Sequence, residues 1–238
     1  EIMLEKYKRK SMRKPEKLVI EGEAGAGKTT FACSSHSKKE PIFVINADDG
    51  GEHVFHKTGI EYIHDCIPTG DVKENAEKWD AVMASLRELA TEKSGIKRII
   101  IDSVDKLEVL AHGRVCVDHK LTHIEDMGYG KGFSYATGAM QKLLSGLNYL
   151  RDSQGIQPIL VCHTQVRTIN KPTMEPYDSF VLKLHKSLCA DVMEWADVIL
   201  FVAFETIVKK IDSGFNRKDS RAIQSGKRFL YTSGSMGV

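Results

Sequence analysis

The amino-acid sequence predicts an α/β fold in which a mainly parallel β-sheet is flanked by helices. Short apolar runs rich in β-branched residues alternate along the chain with stretches of helical periodicity. Uninterrupted apolar runs are typical of strands whose two faces are both covered by helices. A strand, a helix and a second strand in succession favour a parallel pair, because the helix returns the chain to the start of the sheet.

The strand candidates share this apolar character and are Lys17–Ile20, Ile42–Asn46, Arg98–Ile101, Pro158–Cys162, Val198–Phe204 and Arg228–Thr232. The last candidate belongs to a hairpin-like tail, so we expect a C-terminal β-hairpin. The helix candidates carry one apolar stripe each and are Asp71–Thr91, Ser103–Lys120, Tyr135–Asp152 and Phe180–Trp195. Asp71 is the expected N-cap of the first helix. Residues 123–132 and 165–179 fit neither pattern, and long irregular loops are usually functional or disordered.

The residues after the first strand match the phosphate-binding loop G-x-x-x-x-G-K-[ST]. Backbone N–H groups of such a loop surround phosphates, and the following helix adds partial positive charge. Lys28 is expected to reach the β- and γ-phosphates, and the Thr29 hydroxyl to hold Mg²⁺. A chance glycine-rich turn is the alternative, but the preceding strand and the closing Lys-Thr disfavour it. The predicted ATP-binding residues are Gly22, Glu23, Ala24, Gly25, Ala26, Gly27, Lys28, Thr29 and Thr30.

Acidic residues follow two further strand candidates. Asp102 ends the run Arg98–Ile101, and in phosphate-loop proteins such an acid lies beside Mg²⁺. Asp102 or Ser103 also suits the N-cap of the next helix, and the two roles are compatible. Asp49, with Asp48 as second choice, is the candidate for the carboxylate that orients the attacking water. An Asp-Gly turn would explain these two acids without any chemistry.

The strand candidate Pro158–Cys162 is followed by polar residues that end in Gln165. A polar side chain here can hydrogen-bond the γ-phosphate, or it can simply satisfy backbone groups at the strand end. The two irregular stretches near this strand mix aromatic and cationic residues, as single-stranded nucleic-acid sites do. Nearby acids dilute this signal. The candidate nucleic-acid contacts are Tyr129, Lys131, Phe133, Arg167, Lys171, Lys183 and Lys186.

Composition excludes several classes of protein. The net charge of +2 indicates no particular partner, although residues 1–17 and 205–228 are locally basic, either as solvated faces or as contacts with an anionic polymer. The five scattered cysteines form no zinc-type array and suit a reducing compartment. No apolar run is long enough to span a membrane, so we expect a cytoplasmic protein. One domain, residues 15–238, is expected after a basic segment, residues 1–14.

Several motifs together resemble those of small phage-type RecA-like ATPases, a group that includes the Sak-four single-strand annealing proteins. The motifs are the phosphate loop, Asp48-Asp-Gly-Gly51, Ile99-Ile-Ile-Asp-Ser103, Gly128-Tyr-Gly-Lys-Gly132, His163-Thr-Gln165, Leu182-Lys-Leu-His-Lys186 and Glu194-Trp-Ala-Asp197. The resemblance covers residues 15–232. It implies a RecA-like P-loop NTPase core, ATP and Mg²⁺, binding of single-stranded DNA, and assembly into homo-oligomeric rings or filaments.

The resemblance also implies roles for single residues. Asp49 stands where RecA-type proteins have a catalytic Glu, which suggests slow hydrolysis, and Gln165 stands where a Gln links the γ-phosphate to DNA. The DNA loops would be residues 124–134 and 166–182. A cation donated to a neighbouring subunit has four candidates: Lys209, Lys210, Lys227 and Arg228.

The sequence thus predicts a Mg²⁺-dependent, DNA-stimulated ATPase of phage-type DNA recombination. We expect it to bind single-stranded DNA in an annealing or mediator role, with a single-strand DNA-binding protein as a further candidate partner. One alternative is a P-loop kinase for a small molecule or nucleotide, with Arg217, Arg221 and Arg228 as candidate lid residues. Another is a helicase-loader-like ATPase that acts on protein.

Overall fold

The computed structural model describes residues 14–212 and 218–232, and between residues 207 and 224 it describes the backbone alone. Most of the basic segment 1–14 and the lid candidate Arg217 therefore lie outside the described residues. The strands are β1 (Leu18–Gly22), β2 (Ile42–Asn46), β3 (Tyr62–Asp65), β4 (Arg98–Asp102), β5 (Gln157–Ile169), β6 (Tyr177–Leu182), β7 (Val198–Asp212) and β8 (Lys218–Tyr231). The helices are α1 (Lys28–Cys33), α2 (Glu52–Thr58), α3 (Val72–Thr91), α4 (Val104–His119), α5 (Lys131–Tyr149) and α6 (Lys186–Trp195).

The sheet has the strand order β3-β2-β4-β5-β1-β7-β8. All pairs from β3 to β7 are parallel, and β8 closes the sheet as the antiparallel partner of β7. The predicted fold class is confirmed, because helices flank a mainly parallel sheet that ends in a C-terminal β-hairpin. None of the described helices is both long and apolar enough to cross a membrane.

The two faces of the sheet carry different helices. Apolar residues of α3 to α6, such as Trp79, Leu107 and Leu143, pack with Ile99 and Ile101 on one face. The other face holds a smaller cluster, in which residues of α1 and α2 pack against β1, β2 and β4. Strand residues alternate between the two clusters, which explains why these strands read as continuous apolar runs.

Three elements differ from the sequence prediction. β3 and α2 were not expected, and the start of the predicted helix Phe180–Trp195 belongs instead to β6. β3 lies at the edge of the sheet with mostly exposed side chains, so it lacks an apolar run. β6 pairs antiparallel with the distal half of β5, from Thr164 to Ile169. Residues 165–179, which resisted assignment, therefore form most of a β-hairpin that extends beyond the parallel sheet.

Candidate nucleotide-binding site

The phosphate loop connects β1 to α1, and its glycines have conformations that other residues rarely adopt. Gly25 and Gly27 have φ values of 75° and 101°, in the left-handed region. A Cβ atom on Gly22 would lie 2.1 Å from the carbonyl oxygen of Val202 on the neighbouring β7. The loop therefore needs glycine at these positions for backbone geometry and for close strand packing.

Lys28 begins α1 and is 5% exposed. Its Nζ donates hydrogen bonds to the carbonyl oxygens of Gly22 at 3.0 Å and Glu23 at 2.8 Å. Burial lowers the pKa of Lys28, while the carboxylates of Asp102 and Asp105 act in the opposite direction. The ammonium group is thus held against the loop backbone, close to carboxylates that favour its charged form.

Thr29 and Asp102, the two predicted metal ligands, lie side by side. The Thr29 hydroxyl donates to Oδ2 of Asp102 at 2.5 Å. Asp102 is 3% exposed, and burial raises the pKa of its carboxyl, an effect that the Thr29 hydrogen bond opposes. These are hard oxygen donors of the kind that Mg²⁺ binds, usually through one or two protein groups plus phosphates and water. Among the described residues, no group of three or more His, Cys, Asp or Glu side chains is arranged to hold a metal ion.

A cavity of about 220 Å³ opens beside this pair, at the carboxyl ends of the strands. It is lined by part of the phosphate loop and the start of α1, by the loop between β2 and α2, and by residues from α2, β4, β5 and β8. Its lining residues are Gly25, Gly27, Lys28, Thr29, Thr30, Asp48, Gly50, Gly51, Val54, Asp102, His163 and Arg228. The remaining motif residues, Gly22, Glu23, Ala24 and Ala26, do not line it.

The structure directs Asp48 toward this cavity, whereas Asp49 is exposed and does not line it. Nε2 of His163 lies 3.7 Å from Oδ2 of Asp48, and Nδ1 lies 3.1 Å from Oδ2 of Asp105. Asp105 also accepts the backbone N–H of His163. Burial tends to raise the pKa of Asp105, but the hydrogen bonds from His163 outweigh it and lower the pKa. An ionised Asp105 therefore holds the imidazole with Nε2 facing Asp48.

Gln165 lies farther along β5 and does not line the cavity. Its side-chain amide is 3.5 Å from the carbonyl oxygen of Leu182, so it contacts β6. The side chain of β5 that lines the cavity is His163, which the sequence marked only as one of several polar residues at a strand end.

Arg228 is the cavity residue that local sequence patterns did not place there. It pairs in register with Phe204, and its guanidinium carbon lies 5.4 Å from the centre of that ring. Its side chain also comes within 3.6 Å of the position a Cβ atom would take on Gly27. Arg228 therefore lies over the phosphate loop of its own chain. Among the other predicted cations, Lys227 is exposed, and the side chains of Lys209 and Lys210 lie outside the described residues.

The predicted nucleic-acid contacts lie on two segments that meet in space. The ring of Phe133, at the start of α5, stacks on the ring of His185 at 4.7 Å and 2°. The hydroxyls of Thr137 and Ser187 are 2.8 Å apart at the same junction. Phe133 is therefore half-buried, and one face of its ring is covered by His185. The exposed members of the set are Tyr129, Lys131, Lys171, Lys183 and Lys186, while Arg167 is partly buried.

Helix α4 contacts both the nucleotide cavity and this junction. Asp105, in its first turn, binds His163, and Glu108, three residues later, accepts the backbone N–H of His185 at 3.2 Å. Burial raises the pKa of Glu108 to about 7, and it lowers that of the neighbouring His112 to about 4. One buried helix therefore connects the strand end at His163 to the segment that carries Phe133 and His185.

A family model described as an AAA domain matches residues 14–238, nearly the whole chain. No curated protein matches the sequence significantly.

Proposed function

The chain belongs to the AAA domain family of P-loop ATPases, and we propose that its ATPase activity serves the binding of single-stranded DNA. AAA domains in general bind ATP with Mg²⁺ and hydrolyse it. The proposal concerns the partner to which ATP hydrolysis is coupled. It rests on the surface beside the nucleotide cavity.

One observation carries the proposal: the two cation-bearing segments, residues 129–133 and the β5–β6 hairpin, adjoin His163 and His185, which α4 holds. Tyr129 is fully exposed at the tip of a glycine turn, and Lys131 follows it. Arg167 and Lys171 lie on the β5–β6 hairpin, which begins directly after His163. Exposed rings can stack on bases, and the cations can pair with the phosphates of a strand.

In the nucleotide cavity, we propose that Lys28 contacts the β- and γ-phosphates and that Thr29 and Asp102 hold Mg²⁺. Bound Mg²⁺ would neutralise the charge that develops on the phosphates. We assign the orientation of the attacking water to Asp48 in place of Asp49, because Asp48 lines the cavity and faces His163. Arg228 would supply a further cation from within the same chain.

The resemblance to the Sak-four annealing proteins extends the proposal to phage-type DNA recombination, in an annealing or mediator role. Assembly into a ring or filament on the strand, with a single-strand DNA-binding protein as a further partner, is part of the same proposal. Two of the lid candidates, Arg221 and Arg228, lie on strand β8, and Arg228 packs against Phe204, so nothing in the described part of the chain favours the kinase alternative.

The test is ATP turnover with and without an oligothymidine, together with binding of a labelled oligonucleotide at several salt concentrations. We expect DNA to stimulate turnover and the affinity to fall steeply with salt, because cations release counterions from phosphates. The double variant Lys131→Ala/Arg167→Ala should weaken DNA binding and leave ATP binding intact. The control Arg87→Ala/Lys93→Ala removes the same charge near the end of α3, away from the cavity. ATP turnover that is the same with and without DNA, together with no salt-dependent DNA binding, would refute the proposal. ATP turnover that requires a small acceptor molecule would indicate a kinase.

A further inference from the structure

A second cavity, of about 340 Å³, lies on the opposite face of the sheet from α1. Its walls are the β5–β6 hairpin, α6 and the strands β1, β7 and β8. The lining is largely apolar, with four aromatic residues: Tyr177, Phe180, Phe201 and Tyr231. The rings of Phe180 and Phe201 are 5.2 Å apart, so they form one continuous wall. A cavity of this size and lining is typical of sites for small ring systems.

The buried polar residue Glu21 also lines this aromatic cavity. It is the fourth residue of β1 and only 7% exposed. Its carboxyl group has no hydrogen bond or ion pair within the described part of the chain, and burial raises its pKa to about 7. Burying an acid without a partner is costly, so its place in the cavity points to a ligand that brings hydrogen-bond donors.

The charges around the cavity favour a ligand that also carries a phosphate. Lys171 lines the cavity and is exposed, with its Nζ 5.8 Å from the centre of the Tyr177 ring. The exposed Lys183 follows β6 on the same hairpin. A flat ring with N–H donors on its edge and a phosphate attached outside would match the apolar walls, the acid and these cations together. A nucleotide has this arrangement of groups.

The geometry points to a site for one nucleobase of the bound single strand, with the base among the aromatic side chains and its N–H edge donating to Glu21. This inference rests on the proposed function, since the same hairpin forms both the cavity and the DNA-binding surface. Guanine fits best, because its two adjacent N–H groups can bind both oxygens of one carboxylate. Thymine fits worst, because its single N–H lies between two carbonyl oxygens that would repel the carboxylate.

The experiment compares an oligothymidine with the same oligonucleotide in which one central nucleotide is dG, dC or dA. Fluorescence anisotropy at pH 8 measures the dissociation constants. We expect dG to strengthen binding on the order of tenfold, since a bidentate contact to a base gives discrimination of this size. Glu21→Gln should abolish the preference, because the neutral amide neither accepts both guanine N–H groups nor repels the thymine carbonyl oxygens. The matched control Glu175→Gln changes an exposed acid at the tip of the same hairpin and should retain the preference.

A second variant, Met193→Trp, reduces the cavity from α6 without changing charge. Met193 lines the cavity but is 41% exposed, so we expect the fold to tolerate a larger side chain there. Loss of the dG preference in both Glu21→Gln and Met193→Trp would support the inference. The inference is wrong if the parent protein shows no base preference, or if Glu21→Gln keeps that preference. If Lys131→Ala/Arg167→Ala still weakens binding of the oligothymidine, the proposed function survives either result. Absence of any binding to DNA would refute both this inference and the proposed function.

Discussion

Five charged side chains are buried in the described part of the chain: Glu21, Lys28, Asp102, Asp105 and Glu108. Burying a charge is costly unless it is paired, so such residues usually remain where they serve chemistry. Four of the five have identified hydrogen bonds, and all four surround the nucleotide cavity or lie on α4 beside it. Glu21 differs because it faces the second cavity, on the opposite side of the sheet from α1.

Asp48 and Asp49 offer a direct test of which acid orients water. Asp48→Asn should lower kcat about 100-fold, the size of a lost general-base contribution, with little change in ATP affinity. Asp49→Asn should have little effect, because that side chain is exposed and does not line the cavity. Steady-state turnover and nucleotide titration of both variants make the comparison. A larger loss of kcat in Asp49→Asn than in Asp48→Asn would instead support Asp49, the residue that the sequence analysis favoured.

Glu21→Gln should make stability less dependent on pH. Burial raises the pKa of Glu21 from 4.5 to about 7, so the folded protein binds this proton more tightly than the unfolded chain does. The contribution of Glu21 to the free energy of unfolding therefore falls as pH rises from 4.5 to 7 and stays low above that range. The variant should gain up to about 3 kcal/mol over the parent at pH 8, from 1.36 kcal/mol per pKa unit, and little at pH 4.5.

Urea denaturation at the two pH values measures this difference. Glu175→Gln is the control, because its carboxylate is exposed and should give the same small change at both. An equal effect of Glu21→Gln at pH 4.5 and pH 8 would mean that the acid ionises freely in the folded protein.

At the scale of single elements, the N-cap of α3 was predicted from sequence and is confirmed. The Asp71 carboxylate accepts the backbone N–H groups of Lys73 at 2.8 Å and Glu74 at 2.9 Å. An N-cap can be recognised from sequence because its hydrogen bonds reach only two or three residues along the chain. β3 and β6 could not be recognised in this way, because β3 is an edge strand with mostly exposed side chains and β6 pairs with the largely polar distal half of β5, so neither is a continuous apolar run.

Asp71→Ala should destabilise the protein by about 1 kcal/mol, the usual cost of losing an N-cap. Two helix N–H groups would lose their acceptor and turn to water. Urea denaturation at neutral pH measures the change. Glu77→Ala, at an exposed position inside the same helix, should change stability by a few tenths of a kcal/mol at most. Equal destabilisation by the two substitutions would contradict the capping role.

At the scale of the whole molecule, the parallel strand order brings distant residues to one edge. Lys28, Asp48, Asp102, His163 and Arg228 come from five separate parts of the chain and line one cavity. A nucleotide held by all of them must bind the folded protein and not the unfolded chain. Its binding should therefore raise the melting temperature.

A non-hydrolysable ATP analogue with Mg²⁺ at 100 times its Kd should add about 2.7 kcal/mol of stability. For a chain of this length, that corresponds to an increase in Tm of roughly 5–10 °C, measured by calorimetry. EDTA should remove most of the increase if Thr29 and Asp102 hold Mg²⁺ as proposed. Lys28→Ala should abolish it, whereas Lys39→Ala, an exposed lysine beyond α1, should retain it. An unchanged increase in Lys28→Ala would refute the phosphate-loop assignment.

The sequence by itself determined the α/β class, the phosphate loop and the acid at Asp102, because each depends on residues that are close along the chain. Periodicity, a glycine turn and a strand ending in Asp are local patterns with direct physical meaning. Tertiary structure decided which of two nearby candidates faces the nucleotide cavity. Asp48 faces it and Asp49 does not, and His163 faces it and Gln165 does not. It also brought Arg228 over the loop of its own chain and buried Glu21 beneath a hairpin. These outcomes depend on strand register and on the packing of segments more than 100 residues apart, which no local pattern encodes.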